Sequence, residues 1–319
     1  MRILKLLMAF WITSLVAIRP QASAQEASCD VPLVVTHFVA SSGTVEMVKD
    51  LTAKDLTVKI GGSAGTVTNA SVDTGSKRVA LILDASTKVP TDEWRLETEM
   101  AVTLIQNARA LDRFSLFLVG TGTPAGPRLP SADLQTQLRE MTSSRPPTVD
   151  ANERIYDALL AAAKHMDPPE FGDAIFLFGH PDDTGSKATP EQVEELILRN
   201  RVRFYAMSFT DLLRGKHPAA NKPLPKGLGQ ERADKISHAT GYFFSYHAVD
   251  VLRIPGQRAL LEGFLGDLYA GIAQPYRVTI GLKMSDKTAL DLAVVNGKDR
   301  NIRLDDVHYP HFIYPCTSR

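Results

Sequence analysis

Five consecutive apolar residues, Val79 to Leu83, held between Arg78 and Asp84, constrain this chain more than any other stretch. The run is too short for a helix and the right length for a strand. Being unbroken, it predicts a strand covered on both faces, as in parallel sheets flanked by helices. Asp84-Ala85-Ser86 then falls at the carboxyl end of that strand. In open α/β sheets ligands bind at that edge, because the loops and helix N-termini there open a crevice. An acid and a hydroxyl on such a loop are residue types that hold Mg²⁺, which takes carboxylate, hydroxyl and water oxygens. The same pair also serves simply to cap a loop.

The rest of the chain alternates in the same rhythm. Thr91 is expected to cap a helix running through Trp94, Met100, Leu104 and Ile105. Phe114 to Val119 reads as a strand, and Gly120-Thr121-Gly122-Thr123-Pro124 as a turn, since it lacks the Gly-Lys-Ser/Thr ending of a phosphate loop. Helices are predicted from Ser131 to Met141 and from Ile155 to Ala163, and a second fully apolar strand from Ala174 to Phe178. Thr189-Pro190-Glu191-Gln192 is a capping box with proline at the first helical position. Val202 to Phe209, Tyr242 to Tyr246 and a helix from Gln257 to Gly271 complete the alternation. Leu212 to Arg232 interrupts it with Arg214, Lys216, Lys222 and Lys226 among prolines and glycines, and reads as an inserted surface loop. On either side, residues 31–60 and the chain from Tyr276 onward show period-2 patterning, the mark of antiparallel strands. The fold class expected is α/β, a Rossmann-like doubly wound and mostly parallel sheet, with a small β domain built from both chain ends. The boundaries read as 1–24, 25–75, 76–274 and 275–319.

Residues 1–24 read as a secretory signal peptide: Arg2 and Lys5, then the apolar run Leu6 to Ile18, then Ala22-Ser23-Ala24 at a cleavage position. The apolar core is shorter than the roughly 20 residues of a spanning helix, so cleavage near Ala24 is expected, with a secreted or periplasmic product and no stable membrane insertion. Without Arg2, Lys5 and Arg19 the 36 basic residues fall to 33, against 36 acidic ones. So even a balance gives no reason to expect nucleic acid, which calls for a clustered basic face. The two cysteines, Cys29 and Cys316, stand near the two ends of the mature chain. In an oxidising compartment they are expected to form a disulfide that sets the ends side by side, stabilising by roughly 4–5 kcal/mol through loop closure.

At this point the sequence resembles a family. Leu81-Ile82-Leu83-Asp84-Ala85-Ser86 is similar to the first strand of von Willebrand factor A (VWFA) domains, where a DxSxS motif starts a metal-ion-dependent adhesion site. Ile155-Tyr156-Asp157-Ala158-Leu159, Ala174 to Phe178, Val202 to Met207 and Ala239 to Phe243 resemble later segments of the same family, in the same order. Leu51-Thr52-Ala53-Lys54-Asp55-Leu56 resembles the lead-in of its bacterial secreted VWFA-related subgroup, where a small β unit precedes the A domain. The resemblance implies protein binding through a metal held by an aspartate, two serines, a threonine and a second aspartate. Asp84 and Ser86 match, whereas Lys88 replaces the second serine, Glu153 the threonine and Gly179 the aspartate. A degenerate site is therefore expected, with no cofactor. Mg²⁺ or Mn²⁺ would be held only through Asp84, Ser86 and a rescuing Asp182. Without metal, a Lys88 ion pair would satisfy the carboxylates, and the partner surface would be Asp84, Ser86, Lys88, Glu153 and His180.

Two other patterns are weighed against this. Asp73-Thr74-Gly75-Ser76 and Asp183-Thr184-Gly185-Ser186 both spell the aspartic-protease motif. Charged neighbours make both read as exposed turns. His308 and His311 lie three apart in extended chain and would point to opposite faces, and no GxSxG elbow occurs. The function expected is an exported, non-enzymatic, protein-binding component of adhesion or assembly type. Its alternatives are a structural or assembly part of the cell envelope with a vestigial crevice, and, behind that, a hydrolase.

Overall fold

The computed structural model describes residues 27–39, 44–87, 89–120, 126–144, 153–179, 183–209, 235–237, 239–240, 244–246, 256–282, 284–295, 297, 302–303 and 306–316. Residues 1–24, expected to be a signal peptide, Lys88, His180, Asp182 and residues 212–232, expected to be a surface loop, lie outside these residues. In chain order come β1 (Ala27–Val39), β2 (Thr44–Met47), β3 (Leu56–Ile60), β4 (Ser63–Ala64) and β5 (Thr66–Val72). Then follow β6 (Arg78–Asp84), α1 (Thr91–Gln106), β7 (Arg113–Val119), α2 (Ser131–Ser143), α3 (Ile155–His165) and β8 (Ala174–Phe178). The chain closes with α4 (Pro190–Arg199), β9 (Arg203–Phe209), β10 (Phe244–Tyr246), α5 (Gln257–Ala273), β11 (Tyr276–Leu282), β12 (Thr288–Val294), β13 (Val307–His308) and β14 (Phe312–Ile313).

The apolar run of β6 sits inside a parallel sheet of order β10-β9-β8-β6-β7. Every residue of β6 is buried. Because side chains alternate across a strand, Val79, Leu81 and Leu83 join one core with α1, α2 and α5, and Ala80 and Ile82 join another with α3 and α4. Each large apolar side chain so buried contributes about 1.5–3 kcal/mol, so neither face can go uncovered. This is the doubly wound arrangement that the unbroken run predicts.

The two chain ends meet in the β unit. Antiparallel β1 and β11 are in register from Ala27 opposite Leu282 to Leu33 opposite Tyr276. β11 also pairs β5, which ends that sheet. A further sheet of order β14-β12-β3-β4 lies over it, with Leu33, Val58, Ile280, Leu292 and Ile313 in the shared core. Cys29 and Cys316 form the disulfide, their Cα atoms 5.5 Å apart. The Leu51–Leu56 lead-in is a tight turn: Asp55 Oδ2 accepts from the Thr52 N–H at 2.8 Å and from its hydroxyl at 2.6 Å, and Leu51 N–H donates to the Tyr276 hydroxyl at 2.9 Å.

Several local expectations need correction. Thr91 is the first helical residue of α1 and makes no side-chain cap; Pro90 holds the cap position and its carbonyl receives the Trp94 N–H. Thr189 and Gln192 form the capping box as expected. Both DTGS segments are turns with Thr74, Gly75, Ser76 and Thr184 exposed as expected, but their aspartates are half-buried and engaged. Asp73 is ion-paired with Lys77, whose side chain is fully buried, and with Arg277 at 3.2 Å. Asp183 accepts from the N–H groups of Tyr156 at 3.0 Å and Ser186 at 2.9 Å, and from the Ser186 hydroxyl, so it caps α3 from a neighbouring loop. Asp73 lies before β6 and Asp183 after β8, on opposite edges of one parallel sheet. They therefore cannot share a proton.

Candidate functional site

Asp84 ends β6, and the loop after it is held by three bonds. The Ser86 N–H donates to Asp84 Oδ1 at 2.9 Å, the Ala85 N–H to the Val119 carbonyl at 3.1 Å, and the Asp84 N–H to Glu97 Oε2 at 3.2 Å. Both Asp84 and Ser86 are completely buried. Gly120, just past β7, presses on this loop. A Cβ there would lie 2.8 Å from the Ser86 Cα, and the residue has φ +86°, so a side chain is excluded on two counts.

On the third loop, Gly179 follows β8 with φ +127°. A Cβ at this position would stand 3.0 Å from the Asp84 Cβ and 3.0 Å from Glu97 Oε1. The place a loop aspartate would need is thus filled from α1 by Glu97. One turn earlier on that helix, Glu93 is buried as completely as Glu97. Glu153, at 2 % exposure, sits ahead of α3, and its backbone is tied to the third loop: its N–H donates to Thr184 Oγ1 at 3.2 Å, and its carbonyl receives the Thr184 N–H at 2.9 Å.

The structure therefore brings Asp84, Ser86 and Gly179 together, with Glu153 on the same carboxyl edge of the sheet. Lys88, His180 and Asp182 belong to these loops but lie outside the described residues. Sequence reading missed both Glu97 and Glu93. The signal was available: positions 93, 97, 100, 101 and 104 share the face of α1 that points at the sheet, so two acids stand in line with Met100, Ala101 and Leu104. Asp and Glu are almost never fully buried unless paired, so acids on an apolar stripe are the informative exception. Among the described residues, no group of three or more His, Cys, Asp or Glu side chains is set to hold a metal ion.

The amino edge of the same sheet is built from buried charge. The Arg78 guanidinium pairs with Asp173 and donates to the carbonyls of Met166 and Pro168 at 2.9 and 2.8 Å. Burial raises the Asp112 carboxyl, but hydrogen bonds from Arg109, the Tyr269 hydroxyl at 2.6 Å and the Lys77 N–H outweigh it, and the net shift is downward. These groups tie the α3–β8 loop, the α1–β7 turn and α5 to the amino edge of the sheet.

No protein-family model and no curated protein sequence matches the chain. Solved structures do match. Proximal thread matrix protein 1 from the mussel byssus is 14% identical over 67% of this chain and 50% of its own, with a TM-score of 0.47. The chain thus spans about half the length of that protein. A von Willebrand factor type A protein from Catenulispora acidiphila is 9% identical over 92% of this chain and 74% of its own, at TM-score 0.46. The conserved hypothetical protein BatB from Bacteroides thetaiotaomicron is 11% identical over 61% and 98%, at TM-score 0.41. These are likenesses of fold alone. Its own parallel sheet, and the Asp84–Ser86 loop at the carboxyl end of β6, make the α/β unit of this chain von Willebrand factor A-like.

Proposed function

We propose that this protein is an exported, non-enzymatic protein-binding component whose crevice works without a divalent cation. The observation that carries this reading is Glu97, whose carboxylate fills the space beside Asp84 that a third-loop aspartate would occupy. The residues present do not fit the family's ion: the ligand at Gly179 is missing, and a side chain there would crowd Asp84 and Glu97 at 3.0 Å. Buried carboxylates must nevertheless be compensated or protonated. Lys88, which stands in the sequence where the family has its second serine, is the residue we assign that role, and its ammonium would take a carboxylate from a partner. The disulfide is compatible with export, and no helix among the described residues is long and apolar enough to cross a membrane.

Calorimetric titration of the oxidised protein with Mg²⁺ and Mn²⁺ after chelator treatment tests this. No binding heat is expected. Binding at micromolar to low millimolar concentration, abolished by Asp84→Ala, would restore the metal-dependent mechanism and sink this one. A known partner, once isolated, should lose affinity for Lys88→Glu.

A role in envelope assembly through the β unit is favoured by one observation. The edge strand β5, Thr66 to Val72, carries neither charge nor proline, the usual guards of a free sheet edge. Assembly that survives Asp84→Ala but fails with Thr68→Lys would support it over the crevice.

A further inference from the structure

One sheet of the β unit ends at β5 and the other at β4, and Gly65 alone separates these two strands. β5 is the longer edge, and its register with β11 fixes which of its backbone groups are spent. The Asp73 N–H donates to the Pro275 carbonyl at 2.8 Å, and Val72, Ser71, Ala70 and Asn69 then lie opposite Tyr276, Arg277, Val278 and Thr279. In an antiparallel pair, positions that exchange hydrogen bonds alternate with positions whose N–H and C=O point the other way. Asp73, Ser71 and Asn69 therefore face β11, and the N–H and C=O of Ala70 and Val72 face outward. Among the described residues nothing bonds to those outward groups.

The side chains carry the same mark of an unfinished sheet. Val67, Ala70 and Val72 lie on the core side and pack against the β core, yet each is only partly buried. On the other face Asn69 and Ser71 are exposed, the Asn69 Nδ2 donating to the Ser71 hydroxyl at 3.4 Å. The strand carries no charge from Thr66 to Val72. A bulge, one of the devices that turn a free edge away from partners, falls at Thr68, beyond the stretch from Asn69 to Val72.

This stretch is complementary to itself. Ala70 and Val72 stand symmetrically about Ser71, so two copies laid antiparallel about a two-fold axis at Ser71 put Ala70 of each opposite Val72 of the other. Both pairs are then of the hydrogen-bonded kind, and every outward N–H and C=O of Ala70 and Val72 is satisfied. Ser71 meets its own copy in the close, non-hydrogen-bonded position, where a small uncharged side chain fits and no like charges oppose. The half-buried Ala70 and Val72 side chains cover one another across the new seam. We infer that β5 is a self-pairing edge, to which a second copy of this chain adds antiparallel about Ser71, joining two β units in one sheet. The inference rests on the assembly reading of the β unit and names the partner.

Sedimentation velocity of the oxidised protein across micromolar concentrations tests it. A dimer that dissociates on dilution is expected. Ala70→Pro removes an outward N–H and no bond to β11, a position at which an edge strand accepts proline. That variant should keep the native melting temperature and sediment as a monomer. Ser71→Lys should raise the dissociation constant about fivefold, because like charges directly opposite repel, and Ser71→Glu should do the same. An equimolar mixture of the two should restore the dimer, since the axis at Ser71 sets the new charges face to face. A monomeric native protein, a dimer in Ala70→Pro, or a mixture no more dimeric than its components would each overturn the assignment. The assembly reading fails separately: assembly unaffected by Thr68→Lys sinks it, whatever the oligomeric state of the native protein.

Discussion

Glu97 reaches back from the second turn of α1 to accept a 3.2 Å hydrogen bond from the backbone N–H of Asp84, and so holds the end of β6 from the side where a metal-binding loop would lie. The contact explains how the crevice keeps its shape with Gly179 in the third loop. It also predicts where the crevice cannot be changed.

Gly179→Ala should destabilise the protein by about 1–3 kcal/mol, because a side chain at φ +127° is strained and its Cβ meets both Asp84 and Glu97. Urea unfolding reads this directly. An unshifted midpoint would mean that the third loop moves freely and that Glu97 does not fix it.

Removing the disulfide should cost about 3–5 kcal/mol. Cys29 and Cys316 are 287 positions apart, so the bond removes much of the freedom of the unfolded chain. Cys316→Ser is the cleaner variant, since Cys29 is almost completely buried in the β core and its replacement would add a packing loss. Equal unfolding midpoints for Cys316→Ser and the oxidised protein would show that strand pairing of β1 with β11 alone holds the ends.

Acid should loosen the amino edge of the sheet. Burial raises the Asp112 carboxyl, yet the bonds from Arg109, Tyr269 and Lys77 bring it below its ordinary value of 3.8. A carboxyl depressed in the folded state contributes stability above its unfolded pKa and loses it as pH falls through the folded one. Stability measured from pH 6 downward should therefore decline below about pH 4, and Asp112→Asn should flatten that decline while lowering the neutral-pH value by about 3 kcal/mol. An unchanged slope in the variant would remove Asp112 as the responsible group.

Asp183→Ala should cost about 2 kcal/mol or more, because it strips the capping acceptor from the Tyr156 N–H at the start of α3 and undoes the turn through Ser186. Since the same turn carries Thr184, which is bonded to the Glu153 backbone, the variant should also disturb the crevice. Amide exchange at Tyr156 and Glu153 would show both effects. Protection unchanged at Glu153 would mean that the two ends of the turn are independent.

The sequence by itself determined the elements. A run such as Val79–Leu83 has no polar face to turn to water, so it dictates a strand covered on both sides and, with it, an α/β sheet. The order of the other strands and helices followed from their periodicity, and two cysteines near the ends were enough to bring the termini together. What only the tertiary structure decided were contacts between residues far apart in the chain. Glu97 filling the space beside Gly179, Asp183 capping a helix that begins 28 residues earlier, and Lys77 buried against a half-buried Asp73 all depend on which loops meet. Local patterning reports whether a residue faces a core or water, but a charged side chain faces either, according to whether a partner from elsewhere in the chain arrives to compensate its burial.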